Sequence, residues 1–302
     1  IKLDISARYN STGTFYKFMI KYILILTLLP NIGFSASSVW QISKANHILY
    51  LGGTIHALRK DDYPLPAEFS AAFSKANKLI VETDIDASQS EHFRNKMVKS
   101  LTYPAGESLK ESLDGETFEL LSRYFSKQGL SINAFLAYKP VMIVLTMSML
   151  EFSRIGMTGK GVDEYFYRKA QKSDKPIGYF ESVDQQLSFI VNMGAGRENE
   201  LVRKTLDDVA SMEESINAMK SAWRSGDALK LADVSLSDMV RDYPEVYKSM
   251  LVKRNNNWLP TIEKMLLDKD VELILVGALH LVGKDGLLQM LRDKGYRVEH
   301  FR

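Results

Sequence analysis

Residues 271–280 read Val-Glu-Leu-Ile-Leu-Val-Gly-Ala-Leu-His, an apolar run that ends in a glycine and, three residues later, a histidine. A second copy of this pattern lies near the other end of the chain, where the apolar run 47–51 leads into Gly-Gly-Thr-Ile-His at 52–56. Short apolar runs bounded by glycine predict buried strands. Because ligands collect beyond the carboxyl ends of strands in an open α/β sheet, His56 and His280 are predicted to lie at such an edge.

Helical and strand patterns alternate around both runs. A helical pattern at 67–77 and a strand pattern at 78–83 follow the first run, and a helical pattern at 281–291 and a strand pattern at 296–301 follow the second. A strand–helix–strand order favours parallel pairing. The sequence therefore predicts the α/β class, with mixed β-sheets in which the two motif strands are central. The halves that carry the Gly-x-x-His turns are predicted to be pseudo-symmetric and surrounded by helices.

The middle of the chain predicts a large helical insertion, from Gly106 to about Leu267. Apolar residues recur at helical spacing over 113–128, 141–152 and 162–171, and further helical patterns cover 184–229 and 243–267. One short strand is predicted at 177–181. The methionine-rich segment 141–152 is interpreted as a buried helix with adaptable packing.

The first residues resemble a secretory leader. Lys17 and Lys21 precede the apolar run 22–29, and small residues follow at 35–38. We expect a signal peptide at 19–37, an upstream extension at 1–18 and a single folded domain at 38–302. The apolar run falls short of the about 20 residues that span a bilayer, so no stable membrane anchor is expected after leader removal. The protein is predicted to be exported, to the periplasm or out of the cell; a retained anchor is the alternative.

Composition excludes several classes of function. The chain has no cysteine, which rules out disulfides, thiolate metal ligands and a cysteine nucleophile. Four bases and one acid lie within residues 1–37, so the rest of the chain is close to neutral despite the overall charge of +2. Neutrality gives no electrostatic case for a nucleic-acid partner. Ser148 and Ser153 lack the Gly-x-Ser-x-Gly context of a serine hydrolase.

Two histidines and two glutamates are candidates for a metal site. Imidazole is the commonest side-chain metal ligand, and His56 and His280 occupy equivalent places in the two motifs. Glu82 and Glu181 each end a predicted strand, where a carboxylate is costly unless it is paired, protonated or bound to a metal. These donors, two histidines with one or two glutamates, suit a divalent ion such as Mn, Co or Zn. The alternatives are hydrogen-bonded structural histidines and capping or salt-bridged glutamates.

Other polar residues are interpreted as structural or solvated. His47, His92 and His300 fall at a strand start, in a polar helix and at the chain end. Asp163 follows Gly-Val at a helix start and is interpreted as a helix cap. Asp84 and Asp86, which follow Glu82 in the loop, are expected to be solvated.

Several motifs together resemble the TraB/GumN family. They are Gly-Thr-Ile-His at 53–56, Val-Glu-Thr-Asp at 81–84, Gly-Val-Asp at 161–163, Gly-Tyr-Phe-Glu-Ser at 178–182 with Gln185 or Gln186 after it, Arg254-Asn255 with Trp258, and Val-Gly-Ala-Leu-His-Leu-Val-Gly at 276–283. This family is related to the Tiki metalloproteases and more distantly to ChaN-like haem-uptake and erythromycin-esterase-like folds. Ala278 departs from the pattern, which often has a second glycine there.

The resemblance implies an exported metal-dependent hydrolase that uses a metal-activated water, with peptide bonds as the first substrate class and small molecules as the other. It implies metal-site roles for His56 and His280, and a role for Glu82 as ligand or general base. Glu181 becomes a second acidic site residue, and Arg254 and Asn255 are placed in the pocket, where they could stabilise an oxyanion. Read from sequence alone, Arg254 and Asn255 equally fit a surface helix end. A non-catalytic haem- or ligand-binding protein and an accessory protein of exopolysaccharide production are the alternative functions.

Overall fold

The computed structural model describes residues 37–302, so the predicted leader and upstream extension lie outside the described residues. Strands lie at β1 (Val39–Lys44), β2 (His47–Thr54), β3 (Ala57–Leu58), β4 (Lys78–Val81), β5 (Gly159–Lys160), β6 (Ile177–Tyr179), β7 (Glu272–Gly277) and β8 (Arg297–His300). Both Gly-x-x-His motifs thus follow strands, as their apolar runs predict.

Six strands form one mixed sheet in the order β6-β4-β7-β2-β1-β8. β6, β4, β7 and β2 run parallel to their neighbours, and β1 and β8 complete the sheet by antiparallel pairing. The two motif strands are adjacent and central, with Gly53 opposite Val276. The predicted α/β class is confirmed, whereas the pseudo-symmetry of the halves stays a prediction. The predicted parallel relation of β2 and β4 is present with β7 inserted between them.

Helices surround the sheet and fill the middle of the chain. They occupy Ala67–Lys75, Ile85–Ser88, Glu91–Ser100, Leu109–Ser112, Gly115–Lys127, Pro140–Arg154, Val162–Lys172, Val183–Val191, Glu198–Ser225, Ala228–Asp242, Pro244–Tyr247, Lys253–Met265, Ala278–Leu281 and Leu287–Asp293, with 3-10 turns at Lys60–Asp62 and Ile132–Phe135 and a π segment at Lys248–Val252. Within residues 37–302, no helix combines the length and apolar character needed to cross a membrane.

Local sequence signals account for several helix ends. The carboxylate of Asp114 accepts a hydrogen bond from the backbone N–H of Thr117 and so starts the helix Gly115–Lys127, which was predicted at 113–128. Ser182 and Gln185 form a reciprocal capping box at the start of Val183–Val191. The long helix Glu198–Ser225 ends at Gly226, whose φ of 66° is left-handed and favours glycine.

The methionine-rich helix Pro140–Arg154 is buried along one face only. Val141, Ile143 and Met147 are buried in the structure, whereas Met149 is 70% exposed. The buried face packs with Leu121 and other apolar residues in a second core cluster, separate from the one around the sheet. The predicted helix is thus present and buried along one face, whereas Met149 shows that its other face reaches the surface.

A hydrogen bond and a buried ion pair connect the helix Glu198–Ser225 to the carboxyl end of β2 and the segment that follows it. The indole N–H of Trp223 donates to the carbonyl of Gly53 at 2.6 Å, and the Lys220 ammonium pairs with the Asp62 carboxylate at 2.6 and 2.8 Å. Lys220, Asp62 and Trp223 are buried. Breaking such a buried pair leaves an uncompensated charge, so these contacts hold the helix firmly beside the site described below.

Candidate active site

Four predicted site residues emerge from the carboxyl edge of the parallel strands. His56 follows β2, Glu82 follows β4, Glu181 follows β6, and His280 lies one turn beyond β7. Because these four strands are neighbours in the sheet, their ends meet along one edge. The sheet order therefore gathers residues that are more than 200 positions apart in the sequence.

Gly277 marks the point where three of these side chains converge. A methyl group at its Cα would lie 3.3 Å from Glu82 Oε1, 3.6 Å from His56 Nε2 and 3.7 Å from His280 Cδ2. The backbone N–H of Gly277 donates to Glu82 Oε1 at 2.7 Å. A glycine at this position thus leaves open the space that His56, Glu82 and His280 share.

Arg254 stands between the acidic residues and His280. Its guanidinium bonds Glu181 through Nε at 2.9 Å and Nη2 at 2.8 Å, and reaches Glu82 Oε2 through Nη2 at 2.6 Å. The ring of Trp258 lies 4.8 Å from the guanidinium, and its N–H donates to Glu181 Oε1 at 3.0 Å. Arg254 is 6% exposed and Glu181 is buried, so this is an ion-pair network inside the protein and not the surface helix end that the sequence left open.

The hydrogen-bonding capacity of Arg254 and Asn255 is already used. The Nη1 group of Arg254 donates to His280 Nε2 at 3.0 Å and to the carbonyl of Met250 at 3.3 Å, which completes its five N–H donors. The amide nitrogen of Asn255 donates to the carbonyls of His280 and Asp285. These contacts position the site; the oxyanion contacts suggested for both residues need donors that are not free in this arrangement.

His280 is a buried, neutral imidazole with a defined tautomer. Arg254 can only donate, so His280 Nε2 accepts and Nδ1–H donates to Asn255 Oδ1 at 2.7 Å. Burial lowers the pKa of His280 to about 3, and the charge of Arg254 acts in the same direction. The lone pair of Nε2 is therefore occupied by the Arg254 N–H, and the ring edge at Cδ2 lies next to the shared space.

His56 is the exposed counterpart, with 62% of its side chain accessible to solvent. Its Nδ1–H donates to Asp163 Oδ2 at 3.0 Å. The charge of Asp163 raises the pKa of His56 to about 9, against the opposing effect of desolvation and with a smaller contribution from Glu82. His56 is thus an imidazolium at neutral pH, although water screens its attraction to Asp163.

Asp163 is a positioning residue and not the helix cap that the sequence suggested. The helix Val162–Lys172 has Gly161 at its N-cap position, without a side-chain capping bond. Asp163 lies in the first turn, and its carboxylate turns towards His56. The prediction was wrong because a carboxylate in the first helical turn can also bond a neighbouring chain segment, which local sequence does not reveal.

Replacing Asp163 with asparagine should lower the pKa of His56 from about 9 towards 6.5, because the charge that favours the imidazolium is removed. Folding stability should respond only weakly, because the His56 side chain is 62% exposed and its pair is screened, but with a defined sign. In the native chain, the pairing of His56 with Asp163 adds to the free energy of unfolding below pH 6.5, and this addition disappears as the pH rises through 9. The free energy of unfolding of the variant should not change with pH in this way. An NMR titration of the His56 ring protons measures both pKa values, and an unshifted value in the variant would contradict the assignment.

Glu82 is ionised throughout the physiological range. Burial alone raises a carboxyl pKa, but the interactions with His280, Arg254 and His56 and the Gly277 N–H outweigh it and lower the pKa of Glu82 to about 2. Gln186 approaches its second oxygen at 3.5 Å. Glu82 is consequently an anion between one fixed cation and one imidazolium.

Sequence comparison places this site within one family. A sequence model of the TraB/PrgY/gumN family matches residues 38–300, a span that contains every residue of the site. The chain belongs to this family. Among its relatives are proteins of Escherichia coli (strain K12) and Shigella flexneri, each with the name "Uncharacterized protein YbaP". Each is 25% identical over 248 residues, which cover 82% of this chain and 89% of the relative. No solved structure matches the chain.

The residue types of this TraB/PrgY/gumN site are ones that can hold a divalent cation. Both imidazoles bond an oxygen through Nδ1, Asp163 for His56 and Asn255 for His280, and such partners commonly orient metal-binding histidines. Both rings then face the Glu82 carboxylate near Gly277. In the described part of the chain no three His, Asp or Glu residues already stand at ligand spacing, and Arg254 bonds His280 Nε2. The residue types fit, and full ligation requires that contact to open.

A cleft of about 430 Å³ opens in front of these residues. Its walls include three buried oxygens that have no hydrogen-bond partner among the described residues: Thr54 Oγ1, Thr83 Oγ1 and Asp163 Oδ1. An unpartnered buried polar atom costs free energy, and a bound molecule can offset that cost. The lining of the cleft thus includes several polar side chains beside the site in this TraB/PrgY/gumN protein.

The remaining candidates lie outside the site. His47 bonds the carbonyl of Asp268, His92 is exposed, and His300 packs against Trp40. The two acidic residues expected to be solvated differ: Asp84 caps the helix Ile85–Ser88 and accepts from Tyr167, whereas the exposed Asp86 pairs with Arg168.

Replacing Gly161 with alanine should destabilise the protein by about 1–3 kcal/mol. The added methyl group would lie 2.5 Å from the backbone carbonyl of His56 and 2.6 Å from Asp163 Oδ1, so the His56 loop must move. Urea unfolding at pH 7 measures the loss. Gly115→Ala is the matched control, because it meets no atom within 4 Å at a helix start and should be neutral or slightly stabilising.

Proposed function

We propose that this TraB/PrgY/gumN protein is an exported, metal-dependent hydrolase that acts at the cleft in front of His56, Glu82 and His280, with peptides as its first substrate class. One observation carries the proposal: two imidazoles with oriented Nδ1 atoms and one ionised carboxylate converge on Gly277 at an accessible sheet edge. Export rests on the leader pattern of residues 19–37.

The ion would be held by His56 Nε2, His280 Nε2 and Glu82, with Mn, Co and Zn as the candidates. A divalent ion there supplies Lewis acidity to a substrate carbonyl and to water. It must compete with the proton on His56, whose pKa is about 9. Binding should therefore tighten by roughly tenfold per pH unit below that value.

The other residues of the site hold these groups in place. Asp163 and Asn255 fix the two imidazoles through Nδ1, while Arg254 holds Glu82 and His280 and is itself held by Glu181. Glu82 keeps one lone pair or more on each oxygen, so it can accept a proton from water next to the scissile bond. Thr54 and Thr83 add two hydroxyl side chains to the lining of the cleft.

The test uses the full chain, stripped with a chelator and then loaded in turn with Mn²⁺, Co²⁺ or Zn²⁺. Calorimetry at pH 6.5, 7.5 and 8.5 measures binding, and a library of quenched fluorescent peptides together with small esters and amides measures turnover. We expect one ion per chain, tighter binding at higher pH and turnover that is lost in the His56→Ala variant. Absence of ion binding and of turnover across the library contradicts the proposal, and a Soret shift on haem titration would then favour a ligand-binding role.

A further inference from the structure

A methionine-walled cavity adjoins the site and shares part of its wall with the cleft. Its volume is about 460 Å³, and its lining includes Met157, Met193, Met219, Met239 and Met250 next to His56, Glu82 and His280. The cleft and the cavity share His56, Glu82 and Arg254 in their walls. A reacting bond at this junction therefore has a polar side and an apolar side.

The apolar cavity continues away from the site. A second cavity of about 660 Å³ shares Met193, Ile216, Met219, Met239, Val246 and Leu279 with the first, and adds Met212. It ends among charged residues of the two long helices, including Lys204, Asp208 and Asp238. Each cavity alone has the volume that holds a drug-sized ligand, so together they exceed the space for one amino-acid side chain.

The composition of the wall indicates a flexible occupant. Six of the thirteen methionines line these cavities, and they come from helices, loops and the π segment of separate parts of the chain. Met193, Met212, Met219, Met239 and Met250 are partly exposed, and all of them except Met193 pack against the buried core around the sheet. Methionine is unbranched and adapts its shape, which suits an unbranched partner better than a rigid one.

We propose that the substrate carries a long, unbranched apolar chain, of the acyl type, which lies in this methionine-lined channel while the bond to be cleaved lies at His56 and Glu82. The inference rests on the proposed hydrolase function and specifies its substrate as amphiphilic. The polar part of the substrate then occupies the cleft beside Thr54, Thr83 and Asp163.

Binding of unreactive neutral chains tests this inference without any turnover. The full chain is labelled with ¹³C at the methionine methyl groups and titrated by NMR with 1-alkanols of increasing length, and in parallel with N-acetyl-leucine amide and N-acetyl-phenylalanine amide. We expect the methyl signals of Met193, Met219 and Met239 to shift while that of the exposed Met149 stays fixed. The Kd should fall about three- to fourfold per added methylene.

Variants at a residue that lines the channel test whether the alkanols bind there. Met239→Trp should weaken binding of the longest alkanol by about tenfold or more, because it fills the shared wall. Met239→Leu, which conserves volume, and Met149→Trp at the surface should leave the Kd within about twofold.

Three outcomes overturn the inference: a Kd independent of chain length, shifts of equal size at Met149, or tighter binding of the two amino-acid amides. The alkanol titration uses the ion-free chain and involves no hydrolysis. A failed hydrolase proposal would thus leave chain binding intact, whereas peptide turnover without chain binding would overturn this inference alone.

Discussion

Replacing Arg254 with methionine should lower the free energy of unfolding by about 3–5 kcal/mol at pH 7, the usual cost of removing one partner of a buried ion pair. The guanidinium is the partner of two buried or nearly buried carboxylates, Glu82 and Glu181. Methionine roughly conserves the apolar volume next to Trp258, so the loss reports the uncompensated charges. Chemical denaturation followed by tryptophan fluorescence measures it.

The exposed Arg241 provides a matched control. It pairs with Asp238 and Asp242 at similar distances, but its side chain is 66% exposed. Arg241→Met should therefore cost at most about 1 kcal/mol. An equal loss in both variants would show that burial of the Arg254 network is not what stabilises it.

At acidic pH, the free energies of unfolding of Arg254→Met and the native protein should differ less than at pH 7. In the native chain Glu82 has a pKa of about 2, below the value of 4.5 expected for an unperturbed glutamate. The ionised Glu82 carboxylate therefore adds its full contribution to the free energy of unfolding above pH 4.5, and this contribution is lost as the pH falls through 2. Without Arg254 the carboxylates protonate at higher pH and their cost disappears, so unfolding at pH 3 and pH 7 should give different penalties.

Replacing His56 with alanine should reduce hydrolysis by about 10²–10⁴-fold, the range typical of a group that takes part in proton transfer or activates water. Metal binding should be lost in the same variant. Stability should change little, because the His56 side chain is 62% exposed and its pair with Asp163 is screened by water. Initial rates, calorimetric ion binding and the unfolding midpoint are measured on one preparation.

Two further variants serve as comparisons for His56→Ala: one with an intermediate expected effect and one with none. Asp163→Asn should reduce activity by about 10–100-fold, as expected for a residue that orients a ligand. His92→Ala, on an exposed helix face, should match the native protein in all three measurements. Activity in His56→Ala equal to that of His92→Ala would remove His56 from the mechanism.

The location of the site could be predicted from the sequence to a useful degree. Apolar runs before His56, Glu82, Glu181 and His280 predicted that each residue follows a strand, and the structure places all four at strand ends. Burial of strands on both faces leaves a continuous apolar signal that short-range patterns detect. The order of the strands in the sheet could not be predicted from these apolar runs, because they do not show that β7 lies between β2 and β4.

The partners of these residues were harder to predict. Asp163 has the local pattern of a helix cap, and Arg254 has that of a helix end near a run of asparagines. Both depend on contacts across the fold, from Asp163 to His56 and from Arg254 to Glu82, Glu181 and His280. No local pattern encodes these distances. The tertiary structure also reveals the methionine-lined channel, whose walls come from separate elements.

By itself, the sequence determined the α/β class, the central motif strands and the residue types at their ends, because these follow from local periodicity and glycine position. Only the tertiary structure decided that Arg254 lies among two carboxylates and an imidazole, and that Asp163 orients His56. The physical reason is that charge and hydrogen-bond energies depend on the separation and burial of atoms from distant segments, and folding alone sets both.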